Sequence, residues 1–316
     1  MKIHVNSMPL TESTVVDSAI VERMGLFFSM HYFQDELILV NLLKNGGIPA
    51  LNFYHAGDLS YHTEFLHYGR GPNEVIDVNP YYFDRQEDSF ILNTNDYFLS
   101  DFRYDDGVVT KGQDTFIANT TINNLFITSS GHYICTPERR GEGKEFQIGE
   151  VGHSGDIRYF SDYPKTRIRY GNDPSDLATV CQATCVGSNT ADRYMVLYTF
   201  LPLIRLFDLN GEEKSSIGIA DYKQHAQSVD DIYNEDCTYF FDQPVVAGNH
   251  VFVLFLADDA PTGCQLLKFT WDGQLESRYS LPGGIRAYTV SDDQRYCYVL
   301  TMDSDDNDLL LKYRLR

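Results

Sequence analysis

The stretch "RYMVLYTFLPLIRLFDLNGEEKSSI", residues 193–217, holds two strand-like runs, one tight turn and the start of a returning strand. Residues 193–200 and 203–209 are rich in the aromatic and branched side chains that suit a pleated sheet, and Asn210-Gly211 supplies the positive φ of a short hairpin. The same grammar recurs along the chain. Gly57 in "FYHAGDLSYH", Gly107 in "RYDDGVVTK", Gly155 in "GHSGDIRYF" and Gly273 in "FTWDGQLESRY" occupy the equivalent place. Successive glycines lie 50, 48, 56 and 62 residues apart, a spacing that suits repeats of four strands in a β-propeller.

Two further runs precede each hairpin strand, as "HVFVLFLA" (250–257) precedes "CQLLKFTW" (264–271). The four-strand units then fall at about 15–65, 75–111, 119–160, 178–219 and 239–280. A sixth segment contributes only "IRAYTV", "YCYVLT" and "DLLLKYRL", residues 285–315, and ends without a fourth strand. An unpaired third strand is an open edge, and the N-terminal "KIHVNS" (2–7) is a spare strand. The expectation is an all-β, six-bladed propeller forming a single domain over residues 1–316, with four-stranded antiparallel blades. Residues 2–7 are expected to complete the blade at 285–316. A β-sandwich is the alternative, and it leaves the missing strand unexplained.

Each blade must hand the chain across its own width to the next, and "HYGRGPNEV" (67–75) lies on the first such crossing. Its glycines and proline route the backbone sharply. Later crossings carry Pro164, Gly171 and Pro174, or Pro282, Gly283 and Gly284, whereas 221–236 has neither residue type and is expected to form a short helix or polar lobe. The hairpin, outer strand and G-x-G-P-x-E segment at Gly69 to Glu74 resemble those of the TolB-like six-bladed propeller proteins of Bacteroidetes. The resemblance covers about residues 52–84 at the level of motif. It implies a six-bladed propeller, commonly of a lipoprotein or envelope protein; this chain departs from that pattern in having no leader and no lipobox cysteine near its start.

Composition narrows the partners. With 25 Lys and Arg against 45 Asp and Glu the formal charge is −20, which repels nucleic acid and anionic membrane surfaces. The N-terminus lacks a signal-peptide core, and the apolar region 24–43 is broken by His31, Gln34, Asp35 and Glu36, so the chain as written is expected to be cytoplasmic and not membrane-inserted. A removed leader would place it in the periplasm or envelope instead. Six cysteines without a CxxC pair are expected to be free thiols; Cys181 and Cys185, four apart on a strand, are too distant for a disulfide.

Arg70, Asn73 and Glu74 form the candidate ligand site at the crossing. Arg70 and Glu74 either face a ligand or serve the turn itself, Glu74 accepting backbone N–H groups while Arg70 stays solvated. In "HTEFLH", strand alternation puts His62 and Glu64 on one face and His67 on the other, against a shared metal. "DSDDND" (303–308) lacks the glycine and glutamate of a calcium loop and is expected to be an acidic turn, and "RGEGKE" (140–145) lacks the spacing of a phosphate loop. With no nucleophile elbow, zincin motif or dinucleotide fingerprint, the favoured function is a non-enzymatic binding propeller without a cofactor. Its ligand face lies at the crossing loops, for a protein, peptide or glycan. The alternative is a hydrolase or lyase of the sugar-lactone lactonase or Vgb-lyase kind, using Ca2+ held by Asp77, Asn79, Asn123 and Asp242.

Overall fold

The structure, a computed structural model, describes residues 1–315 apart from 24, 45–47, 72–73, 96, 106, 118–122, 138–142, 154 and 258–263. Its strands form six small sheets of four or five strands, mostly antiparallel: a six-bladed β-propeller. Blade one is built from Phe27–Phe33, Glu36–Asn41, Pro49–His55 and Tyr61–Tyr68. Blade two follows with Val78–Arg85, Ser89–Thr94, Phe98–Asp105 and Val108–Phe116. Blade three has Asn123–Ile127, His132–Thr136, Lys144–Glu150 and Arg158–Asp162. Blade four has Ala183–Ser188, Arg193–Tyr198, Leu203–Phe207 and Glu213–Ile219. Blade five has Phe241–Ala247, His250–Phe255, Gln265–Thr270 and Leu275–Ser280.

Blade six has three strands of its own, Ala287–Val290, Tyr296–Met302 and Asp308–Arg314, and its fourth is Thr14–Ile20. An N-terminal strand therefore closes the last blade, but it is not the expected 2–7. Thr14–Ile20 pairs antiparallel with Asp308–Arg314 from Leu309↔Ile20 to Arg314↔Thr14, so residues placed at the start of the first blade belong to the last. Lys2–Ile3 instead lies parallel to the outer strand of blade four, and Leu10–Glu12 parallel to that of blade five. Alternation identifies a strand but not its partner, and Thr14–Ile20, with two valines and an isoleucine, is the longer edge to offer.

The chain divides into two compact units. One holds residues 1–13 with blades three, four and five. The middle blade's second strand, Arg193–Tyr198, is buried at all but its first residue, as a strand covered on both faces must be. Phe146, Phe160 and Phe207 pack edge to face or tilted at 5.5–5.9 Å between ring centroids. Beside them the buried Glu145 accepts from the Tyr198 hydroxyl at 2.7 Å and from Arg205 Nη1 at 3.0 Å, and Arg205 also pairs with Glu213. The crossing at 221–236 carries a helix, α2 (Val229–Tyr233), which packs against α1 (Pro174–Val180) from the preceding crossing. A capping box of Ser228 and Asp231 starts α2, and Val229 and Ile232 bury its apolar side.

The other unit holds blades six, one and two. Here the middle blade's second strand, Glu36–Asn41, is wholly buried, glutamate included. Phe33, Phe53, Phe90 and Phe102 are fully buried and share one cluster. His31, on the first strand of blade one, stacks on Phe83 of blade two at 4.5 Å, with Nε2 3.2 Å from the Pro80 carbonyl. Among the described residues no helix is long and apolar enough to cross a membrane, and all six cysteines are free, with Cys181 capping α1 while Cys185 lies on a strand.

Deleting residues 1–20 should abolish the single cooperative urea transition, because it uncovers the whole Asp308–Arg314 edge; deleting 1–12 should lower the midpoint but keep one transition. Two broad transitions in the shorter deletion would show that the parallel strands, not Thr14–Ile20, hold the blades together. Burial pushes His31 from 6.5 down to about 4, so the unfolded chain takes up its proton first as pH falls. The neutral ring's contribution is complete above pH 6.5 and lost between there and pH 4. His31→Gln should flatten that part of the stability profile by up to about 3 kcal/mol, measured by urea melts across the range.

Candidate functional site

The crossing motif is a backbone corner. Gly71 N–H donates to Glu74 Oε2 at 2.5 Å, and Gly69 N–H to the Val75 carbonyl at 2.9 Å. A Cβ on Gly69 would fall on the Glu74 carboxylate, and one on Gly71 would stand 3.0 Å from Oε2, so glycine is needed for space at a close approach; neither residue has a left-handed φ. Arg70 is exposed, and Asn73 lies outside the described residues. The geometry gives Glu74 the role of turn acceptor.

Three of the four residues of the metal-dependent alternative have separate partners. Asp77 pairs with Lys44 at 3.0 Å, Asn79 donates to Asn93 at 3.1 Å, Asn123 is exposed in its strand, and Asp242 accepts from Gln243 N–H at 2.9 Å while burial raises its carboxyl. Asp303 spends its carboxylate on the backbone of Asp305 and Asn307, as an acidic turn does. Of "RGEGKE", residues 140–142 lie outside the described residues, and Lys144 pairs with Asp162 at 2.7 Å.

A cavity of about 520 Å³ lies in the unit of blades six, one and two. Its walls are the hairpin at 34–35, the hairpin at 56–60 and the turn at 291–295, with Tyr296, Tyr298 and Lys312 from blade six. In an antiparallel blade entered from a crossing, the first and third connections lie at the far end, so this cavity opens away from the crossing loops. Gln34 and Asp35 both have positive φ, 48° and 60°, which makes their hairpin a two-residue turn closed by Phe33↔Glu36. At the neighbouring hairpin the left-handed residue is Leu59, φ 59°, not Gly57. Lys312 Nζ donates to the Ala56 and Gly57 carbonyls at 2.9 and 2.7 Å and sits over the Tyr296 ring at 4.7 Å. Tyr32 stacks on Tyr298 at 5.9 Å and its hydroxyl donates to Asp35. Burial, with Asp35 beside it, raises both phenols, keeping them neutral donors.

Beside this cavity, and sharing His55 with it, is a cluster the sequence did not single out. Glu36, His55 and His62 bring their ligating atoms within 4.8 Å of one another. Both imidazole Nδ1 atoms are 2.9 Å from Glu36 Oε1, the rings stack at 4.2 Å, and Tyr104 of blade two donates to the same oxygen at 3.0 Å. Glu36 faces His55 directly across the ladder. His62 reaches them through a β-bulge: Phe53↔Thr63 is followed by Tyr54↔Tyr61, leaving His62 as the extra residue. Regular alternation would have put His62 beside Glu64, as expected from "HTEFLH"; instead Glu64 takes the Tyr61 hydroxyl at 2.8 Å.

No family model matches the sequence, and neither does any curated protein. Among solved structures the chain is similar to a member of the DUF4221 family from Bacteroides vulgatus, at 11% identity and TM-score 0.60, covering 96% of this chain and 98% of that one. It is also similar to a candidate exported protein from Bacteroides fragilis, at 11% identity and TM-score 0.54, covering 100% and 99%. The likeness is one of fold. It extends over 96–100% of this chain.

If Gly69 is there for space, Gly69→Ala should cost about 1–2 kcal/mol in urea melts, whereas Arg70→Ala should stay within about 0.5 kcal/mol. Equal losses would assign the arginine a buried partner and reopen the motif as an electrostatic site.

Proposed function

We propose that this protein is a non-catalytic binding propeller, and that the cavity between blades six and one takes a neutral carbohydrate. The observation that carries this is the cavity's lining: three tyrosines beside the carboxylates of Asp35, Asp58 and Asp293. Aromatic faces pack against the C–H faces of a pyranose ring, while carboxylates and phenols exchange hydrogen bonds with its hydroxyls. About 520 Å³ is within the range of small-molecule sites and suits one or two sugar rings. A net charge of −20 disfavours an anionic ligand. The carboxylates and amides of a calcium-dependent hydrolase centre have weaker support, since Asp77, Asn79 and Asp242 are committed to separate partners.

The same proposal includes TolB-like membership and an envelope address. Support comes from the Gly69 to Glu74 motif and from the fold shared with Bacteroides propellers, one of them a candidate exported protein.

Screening a panel of neutral methyl glycosides and oligosaccharides against the full-length chain by saturation-transfer NMR and calorimetry tests the ligand class. A saccharide should bind, and Tyr296→Ala or Tyr32→Ala should each weaken it by about tenfold, the loss of one aromatic face at about 1.4 kcal/mol. Absence of binding across the panel at millimolar concentration, or binding indifferent to both substitutions, would remove the carbohydrate assignment.

A further inference from the structure

The hydrogen bonds at Glu36 are unevenly shared. Oε1 receives His55, His62 and Tyr104, whereas Oε2, on a residue only 4% exposed, has no hydrogen-bond partner among the described residues. A buried carboxylate oxygen left without a donor bears the full desolvation penalty of that group, and three donors crowding its twin do not recover it. Two imidazole nitrogens and a carboxylate around one point are, by contrast, a ligand set for a late first-row divalent cation.

We propose that Glu36, His55 and His62 bind a divalent transition metal, zinc foremost, through both Nδ1 atoms and the Glu36 carboxylate. Binding through Nδ1 uses the neutral tautomer whose proton sits on Nε2, so the cation occupies the place of the two Nδ1–H groups while each ring keeps one proton, and it offsets the buried negative charge. Each imidazole nitrogen needs to move from 2.9 Å to roughly 3.3 Å from the Glu36 oxygen, the edge of a tetrahedron with bonds of about 2.0–2.1 Å. The His55 and His62 side chains are 45% and 25% exposed, so ions can reach the site from solvent. Three protein ligands leave a position for water or for a group on a bound molecule, and His55 adjoins the cavity.

The surroundings fit an outer shell. Tyr104 holds the carboxylate as outer partners of metal ligands do. Gly107, at the tip of the blade-two hairpin with φ 80°, is packed so closely that a Cβ there would stand 2.6 Å from His62 Nε2. That glycine serves its own turn and also leaves room for the imidazole of the neighbouring blade.

The test uses the full-length chain stripped with chelator and titrated with Co2+ alone by visible absorption, then with Zn2+ alone by calorimetry. One equivalent of Co2+ should produce the intense visible bands of four-coordinate cobalt, and Zn2+ should displace it. His55→Ala and His62→Ala should each abolish the bands, Gly107→Ala should weaken them, and His132→Ala, at an exposed histidine of blade three, should leave them unchanged. Glu36→Gln should also lose them; should that buried variant fail to fold, the two histidine variants still decide. Failure of the folded chain to take up one equivalent, or bands that survive the paired His55→Ala and His62→Ala substitution, would overturn the site. No sugar enters this experiment, so its outcome is separate from that of the carbohydrate assignment.

Discussion

Everything in this fold depends on the pairing of Thr14–Ile20 with Asp308–Arg314. Among the described residues, blade six is the one blade whose four antiparallel strands do not come from a continuous stretch of chain, and without its fourth strand it would expose a row of unpaired amides and carbonyls. The contact joins positions nearly three hundred residues apart, so it is a highly non-local pairing whose closure cost nevertheless grows only slowly with the length of the loop it closes. Its register is fixed by side chains as well as by the ladder. Leu310 is fully buried opposite Ala19, and a slip of one residue would turn it outward.

Once that strand is committed to blade six, the residues before it are free to seal other edges. Lys2–Ile3 and Leu10–Glu12 cap the outer strands of blades four and five with short parallel pairs, and Val5 between them is fully buried. Arg278 Nη1 donates to the Val5 carbonyl at 3.0 Å, and Asp221 takes Asn6 N–H at 2.7 Å. The edges that these segments cover are the polar, alternating outer strands, which bury little of their own.

The architecture was legible because hairpins and strands are local. Gly107, Gly211 and Gly273 have φ near 80°, as tight turns require, and their spacing counts the blades. Gly57 and Gly155 marked connections too, although Leu59 and Gly152 hold the left-handed conformations there. Partner choice was not legible. "KIHVNS" and "TVVDSAI" both read as strands, and only the sheet edge left open at Leu309 and Leu311 distinguishes them. The crossing at 221–236 was readable as a short helix or polar lobe because it lacks Gly and Pro, and the capping box of Ser228 and Asp231 around an apolar pair is what makes it a helix.

The histidine cluster stayed hidden for a different reason. Its members lie on three successive strands of blade one, so no short motif contains them, and alternation assigned His62 to the wrong face. One extra residue opposite Tyr54 reverses that assignment. A bulge gives up a regular ladder pair, and here it turns an imidazole from the Glu64 face toward a buried carboxylate. Glu36 in turn sits on a strand buried from end to end, where an apolar residue would satisfy the core without needing any partner. An ionisable group in that position, a bulge that aims a second group at it and a glycine that makes room for the ring come from three separate hairpins. The glycine is already required by its own turn, but packing alone requires neither the buried carboxylate nor the bulge that aims an imidazole at it, whereas a ligand held at Glu36 accounts for both.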